Sequence, residues 1–235
     1  MKALLLAAGL GTRLRPITNS IPKCLVPING KPLLEYWLEN LSESGVTEFL
    51  INTSYLSKQV ETFVEQSKYR DKITLVHEDE LLNTGGTVLH NKDFFDGKPF
   101  MLVHSDNLSF CNFKDFINCY RTRPEGCKLT MMLFYTDNPT SCGIVELDSQ
   151  KRIKKFHEKV KNPPSNLANG AVYICETSVI DFCVNLRKKN IDFSNDVLPH
   201  FMGKINTFLN DTYHRDIGSI ESYAMSQIEI SNFLK

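Results

Sequence analysis

The feature that most constrains the fold is an alternation, through roughly the first half of the chain, of short apolar runs with amphipathic stripes. KALLLA (2–7), EFLIN (48–52), residues 73–77 and FMLVH (100–104) are strand-sized and lack helical spacing. Between them, the segment from Gly30 places Leu33, Leu34, Trp37, Leu38 and Leu41 on one helical face, with Pro32 near the first turn and Gly45 as a stop. A second helix is expected from a Ser57 cap, with Val60, Phe63 and Val64 on one side, and a third around Phe113, Phe116, Ile117 and Tyr120. Strands alternating with helices at this pace predict an α/β chain with a mostly parallel sheet covered on both faces.

After about residue 125 the rhythm changes. LTMMLFY, CGIVELD, RIKKFHE and ANGAVYIC are close-spaced strand candidates, with turns at Asp137-Asn138-Pro139 and Asp148-Ser149. Helices are expected at 177–189 and 219–230. No Pro-, Gly- or Ser-rich linker interrupts the chain, so one domain over 1–235 is expected. With 42% hydrophobic and 10% aromatic residues it can fill a core without metals or disulfides.

Lys and Arg number 27 against 27 Asp and Glu, which gives no global attraction to nucleic acid or an anionic membrane. No apolar run approaches the ~20 residues of a membrane helix. Gly9, Gly11 and Arg13 interrupt the apolar start where a signal peptide would need its core. Seven cysteines without a C-x-x-C pair suit reduced thiols in a cytoplasmic protein.

The first strand runs into AAGLGTRLRPITNSIPK, Ala7 to Lys23. Gly9 and Gly11 let backbone N–H groups approach an anion, and Arg13, Arg15 and Lys23 can neutralise phosphate oxygens. A structural glycine turn with surface cations is the alternative, and Arg15 reads as a salt-bridged surface residue. A dinucleotide fingerprint fits less well because Leu14 stands where its third glycine belongs, and no G-K-[ST] ending marks a P-loop. Asp106 ends a predicted strand, where its carboxylate would meet a crevice at the strand C-termini. His104 reads as a satisfied core histidine, and the other five histidines lack zinc-like spacing. Cys24 has no positioned His base beside it in the sequence.

The run G-L-G-T-R-L-R-P-I-T-x-x-x-P-K-C-L-V-P-I-x-G-K-P, residues 9–32, resembles the signature of the sugar-1-phosphate nucleotidyltransferases. The likeness continues in E-D-E-L-L-N-T-G-G-T (78–87), L-V-H-S-D-N (102–107), C-G-I-V-E-L-D (142–148), F-H-E-K (156–159), N-G-A-V-Y-I (169–174) and D-I-G (216–218), and is strongest to short mannose- or heptose-1-phosphate guanylyltransferases. It implies a three-layer α/β/α Rossmann-like fold with a mixed, mostly parallel central sheet, in which 1–125 is mainly the nucleotide half and 126–235 mainly the sugar-phosphate half. It also implies transfer of a nucleotidyl group from an NTP to a sugar 1-phosphate, with release of pyrophosphate.

The resemblance further implies roles for single residues. Ala8, Gly9, Gly11, Thr12 and Arg13 would wrap the triphosphate, and Lys23 would lie near the transferred phosphate. Asp106 and Asp216 would hold Mg²⁺. Glu78 and the Thr84-Gly85-Gly86 turn would face the base; a Glu78 carboxylate suits the N–H edge of guanine, which favours GTP over UTP or dTTP. A pair of solvated acids is the plainer reading of Glu78 and Glu80. Asn107, Gly143, Glu158, Asn169 and Gly170 would line the sugar site, and Lys159, or Lys161 in its place, would hold the sugar phosphate. Asp196 matches a recurring segment and equally suits a helix cap. A homodimer is the assembly the family suggests. A nucleotide-sugar-binding regulatory subunit and a glycosyltransferase remain as alternatives, the latter lacking a D-x-D motif around Asp106.

Overall fold

The computed structural model describes residues 1–233. In chain order, β1 (Lys2–Leu6) leads through the glycine loop to a small ribbon, β2 (Pro27–Ile28) and β3 (Lys31–Pro32), and then to α1 (Leu33–Glu43). There follow β4 (Glu48–Thr53), α2 (Ser57–Gln66), β5 (Ile73–His77), α3 (Asn83–His90), β6 (Phe100–His104), β7 (Asn107–Phe110) and α4 (Phe113–Arg121). The second half contains β8 (Leu129–Tyr135), β9 (Gly143–Leu147), β10 (Ile153–Glu158), β11 (Leu167–Cys175), α5 (Thr177–Asn185), a π-helical turn (Phe193–Val197), β12 (Ile205–Leu209), β13 (Tyr213–Asp216) and α6 (Ile220–Phe233).

The main sheet runs β10-β9-β11-β6-β1-β4-β5, with β8 beside β11 and β12 beside β8. It is mixed in a way that follows the change of rhythm in the sequence. β6, β1, β4 and β5 are parallel, as helical crossovers require, whereas β11 joins β6, β8 and β9 antiparallel. β1 shows how the two faces are filled. Ala3 and Leu5 pack with Leu34, Trp37, Leu38 and Phe116 of α1 and α4, while Leu4 packs on the other face with Val88 of α3 and Val179 of α5. The strand period of two thus serves two buried faces, giving three layers.

Several local expectations change. Ser57 is the first residue of α2 and makes no side-chain cap; Leu56 precedes it in the left-handed region at φ 54°. The helix expected at 177–189 ends at Asn185. The Thr84-Gly85-Gly86 segment is no turn but part of helix α3. Its glycines are there for contact: a Cβ on Gly85 would lie 2.7 Å from Ile191 Cγ2, and one on Gly86 2.6 Å from the Lys189 carbonyl oxygen. Both Gly85 and Gly86 donate their N–H to the Ile191 carbonyl. Gly85→Ala is therefore expected to cost about 1–3 kcal/mol through overpacking against a buried isoleucine, read as a lowered urea midpoint with unchanged slope.

Outside the sheet, β7 pairs antiparallel with β13, a ribbon that joins Asn107 to Asp216 in register. A separate apolar cluster of Leu14, Val26, Ile28, Leu33, Leu108, Ile217 and Ile230 clamps this ribbon to the glycine loop and α6. Leu14, which breaks the dinucleotide fingerprint, is a fully buried anchor of that cluster. No helix among the described residues is long and apolar enough to cross a membrane.

Candidate active site

The parallel strands β1, β4, β5 and β6 end on one edge of the sheet, and the residues just past them line a single cleft. Ala7, Ala8 and Gly9 leave β1, Asn52 is the last residue but one of β4, Glu78 follows β5, and Ser105 and Asp106 follow β6. The loop after β1 is shaped by Gly11, at φ 61°, where a Cβ would fall 2.9 Å from Thr18 Cγ2. Thr18 Oγ1 also donates to the Gly11 carbonyl at 2.7 Å. Gly9 differs: a Cβ there would meet no protein atom within 4 Å, so its smallness opens the cleft rather than relieving a protein contact.

Lys23 is the electrostatic centre. Held by the turn Lys23–Leu25 and only 8% exposed, its ammonium lies 2.7 Å from Asp106 Oδ2 and 3.6 Å from Asp216 Oδ1. The guanidinium of Arg13, 65% exposed, lies 4.0 Å from Asp216 Oδ2. Burial opposes ionisation of both carboxylates. For Asp106 the adjacent ammonium outweighs it and holds the carboxyl below the usual range, whereas Asp216, farther from Lys23 and facing the Asp106 charge, is raised. Both aspartates thus converge on one cationic nitrogen.

Asp106 also lies on the shared boundary of two chambers. One is the cleft lined by Ala8, Gly9, Lys23 and Glu78. The other is lined by Arg13, Asn107, Gly143, Glu158, Lys159, Asn169 and Asp216. Lys159, at φ 47°, has its N–H bonded to the Cys142 carbonyl and its ammonium 3.4 Å from Glu158 Oε1, while Lys161 does not line the chamber. Gly143 needs its missing side chain, since a Cβ would fall 2.4 Å from the Phe156 ring and 2.8 Å from Glu158 Oε2.

Some expected residues stand elsewhere. Gly170 sits behind the second chamber, where a Cβ would meet the Met132 carbonyl at 3.2 Å, and Ala171 lines the chamber instead. Gly85 is packed under Ile191, leaving Asn83 and Leu81 to line the first cleft beside Thr84. Thr84 Oγ1 accepts from Phe193 N at 2.8 Å. Gly11 and the exposed Thr12 do not line the first cleft. Arg15 is exposed and makes no ion pair among the described residues. Glu78 is not a solvated acid but 5% exposed, while Glu80 is exposed and pairs with Lys189. Asp196 links back to Asp192 N at 2.9 Å and to Lys188. Burial raises the Cys24 thiol to about 12, which removes it as a nucleophile.

The sequence reading missed Asn52 and Thr87 in the first cleft and Asp192, Ser194 and Asn195 in the second. His104 is not a satisfied core residue: it lines both chambers, its Nε2 has no hydrogen-bond partner among the described residues, and burial lowers its pKa. Burial likewise lowers His214, to about 3, so that imidazole adds no charge near neutral pH.

Among the described residues, no cluster of three or more His, Cys, Asp or Glu side chains stands ready to hold a metal. Two carboxylates around one cation do fit a hard divalent ion that takes its remaining ligands from water and phosphate, and the Lys23 ammonium marks where positive charge is favoured.

A profile of the nucleotidyl transferase family matches residues 2–232. The rice protein (Oryza sativa subsp. japonica) named "Probable mannose-1-phosphate guanylyltransferase 1" is 32% identical over 231 residues, covering 95% of this chain and 63% of that protein. The chain therefore spans less than two thirds of that relative's length. The structure of HddC from Yersinia pseudotuberculosis complexed with GMP-PN superposes with a TM-score of 0.81 at 25% identity, covering 97% of this chain and 99% of the other. An apo UDP-glucose pyrophosphorylase shares the fold with a TM-score of 0.83 at 22% identity over 100% and 99% of the two chains. With the glycine loop, the paired aspartates and the two chambers set on one sheet edge, and a profile matched almost end to end, the chain belongs to the nucleotidyl transferase family.

Proposed function

We propose that this protein transfers a nucleotidyl group from an NTP, with GTP the leading donor, to a sugar 1-phosphate of mannose or manno-heptose type, releasing pyrophosphate. The observation that carries this reading is the position of Asp106, paired with Lys23, on the boundary between a glycine-lined cleft and a chamber lined by Glu158, Lys159 and Asn169. Two anions entering from opposite chambers meet there. The choice of GTP rests on the names of the rice relative and on the GMP-PN bound to HddC.

The chemistry needs repulsion between two phosphates to be overcome. The sugar phosphate oxygen is already an anion, so no general base is required; it attacks the α-phosphorus in line and pyrophosphate departs. Lys23 supplies fixed positive charge beside the transferred group, and Arg13, exposed at the rim, can clamp the departing phosphates. Asp106 and Asp216 would hold Mg²⁺, which when bound neutralises charge on the phosphates. Glu158 offers carboxylate oxygens to sugar hydroxyls, and Lys159 a cation to the sugar phosphate.

A screen of four NTPs against a panel of sugar 1-phosphates, reading magnesium-dependent pyrophosphate release, tests the proposal. Release is expected with GTP and mannose 1-phosphate or a manno-heptose 1-phosphate; silence in every combination rejects the reading. Lys159→Ala is expected to raise KM for the sugar phosphate about tenfold or more while leaving KM for the NTP nearly unchanged. Equal rises in both would move this lysine out of the acceptor site.

A further inference from the structure

Glu78 is a buried side chain, 5% exposed, on the wall of the first cleft, and it makes no ion pair among the described residues. Oε1 accepts from Thr87 Oγ1 at 2.6 Å and from Asn52 Nδ2 at 3.0 Å, and Oε2 accepts from Leu82 N at 3.2 Å. Bidentate reading of a guanine edge needs a free acceptor site on each oxygen, and Oε1 has both of its sites taken. What the carboxylate does fix is the amide of Asn52. With Nδ2 committed to Glu78, Oδ1 faces the other way and accepts from Ala7 N at 2.8 Å. Ala7 is the first residue past β1, next to Ala8 and Gly9.

We propose that Glu78 and Asn52 form a positioning pair which, through one oriented amide, fixes the Ala7 peptide at the entrance to the nucleotide loop, and that Glu78 does not itself select the base. The consequence for nucleotide handling rests on the function proposed above; the orientation of the amide does not.

The pair makes an unusual mutational demand. In Glu78→Gln the new amide must point its NH₂ either at Leu82 N or at Asn52 Nδ2, and each choice sets donor against donor unless Asn52 flips and loses Ala7. In Asn52→Asp two carboxylates face each other. The double variant Glu78→Gln/Asn52→Asp reverses the polarity of the link and satisfies every group. The introduced glutamine donates from Nε2 to one oxygen of the introduced aspartate, and its Oε1 accepts from Leu82 N. The second oxygen of that aspartate accepts from Ala7 N; the second Nε2 hydrogen of the glutamine goes to Thr87 Oγ1, whose single proton turns from residue 78 to the Asn83 carbonyl, 3.0 Å away. The net charge is unchanged.

The test measures hydrogen exchange at the Ala7 amide and the Kd of GTP, UTP, dTTP and ATP in the unaltered 235-residue chain and these three variants. Each single variant is expected to speed Ala7 exchange about tenfold or more and to weaken every NTP that binds by a similar factor of about ten, without changing their order. The double variant is expected to return both readings to within about threefold of the starting protein; if a single variant does not fold, recovery of a folded, Ala7-protected double variant supports the pair equally. A double variant no better protected than Glu78→Gln overturns the proposal. So does a Glu78→Gln protein that keeps Ala7 protected while changing which NTP binds best. Should no NTP bind the starting protein, the proposed function fails, and the exchange pattern still decides the pair.

Discussion

Replacing Asp106 by Asn is expected to leave the fold and its melting temperature nearly unchanged while lowering turnover by about a hundredfold or more. The substitution conserves volume, and Lys23 keeps Asp216 as a neighbour at 3.6 Å, so its ammonium is not stranded. What is lost is the carboxylate that Lys23 holds ionised, against burial, at the boundary of the two chambers. An amide there is a poor ligand for a divalent ion. A kcat within a few-fold of the starting value, with unchanged dependence on magnesium, would remove Asp106 from the reaction. A fall in kcat accompanied by loss of the cooperative thermal transition would instead assign it a structural role.

Lys23→Met is expected to lower kcat by about 10²–10³-fold, the usual effect of removing one preorganised charge-stabilising group. Methionine preserves most of the buried stem but leaves Asp106 and Asp216 facing each other without the ammonium between them. Asp106 then loses the contact that keeps its carboxyl low, and its pKa rises. Lys23→Arg is expected not to restore activity, because a planar guanidinium cannot occupy the place of a compact ammonium 2.7 Å from one carboxylate and 3.6 Å from the other. Full activity in either variant, with circular dichroism unchanged, contradicts this assignment.

Much of this arrangement is legible in the sequence because the informative residues sit in contiguous motifs. The strand and helix periods of the first half define a covered parallel sheet, and the run from Gly9 to Pro32 carries a specific resemblance. The parts that are not legible depend on contacts distant in sequence. Asn52 and Ala7 are 45 residues apart, and the link appears only when β1 and β4 lie side by side with Leu6 opposite Asn52. A signal is present, since Asn52 is a polar residue that follows the apolar run Phe49–Ile51 near the C-terminal end of a central strand, where ligand crevices form. The β7–β13 ribbon is hidden for the same reason: NLSF and YHRD are short, and only their pairing brings Asp216 toward Asp106.

The helix α3 shows the opposite failure, of local propensity. Two adjacent glycines read as a turn, yet a helix forms because only residues without a Cβ let it approach the chain at Lys189 and Ile191. Glu78 is legible as a candidate residue of the first cleft but not as one whose Oε1 is fully engaged by protein donors. Its three donors come from Asn52, Leu82 and Thr87, and no spacing rule in the sequence predicts that they converge.

The central claim, that one crevice brings two phosphates together for direct transfer, is tested most directly by following radiolabelled pyrophosphate into NTP. Label is expected to enter the NTP only when the nucleotide sugar, or the sugar 1-phosphate that forms it with NTP, is supplied, with no exchange in the protein mixed with NTP alone, as direct transfer without a covalent nucleotidyl-enzyme requires. Exchange without any sugar compound would contradict the account.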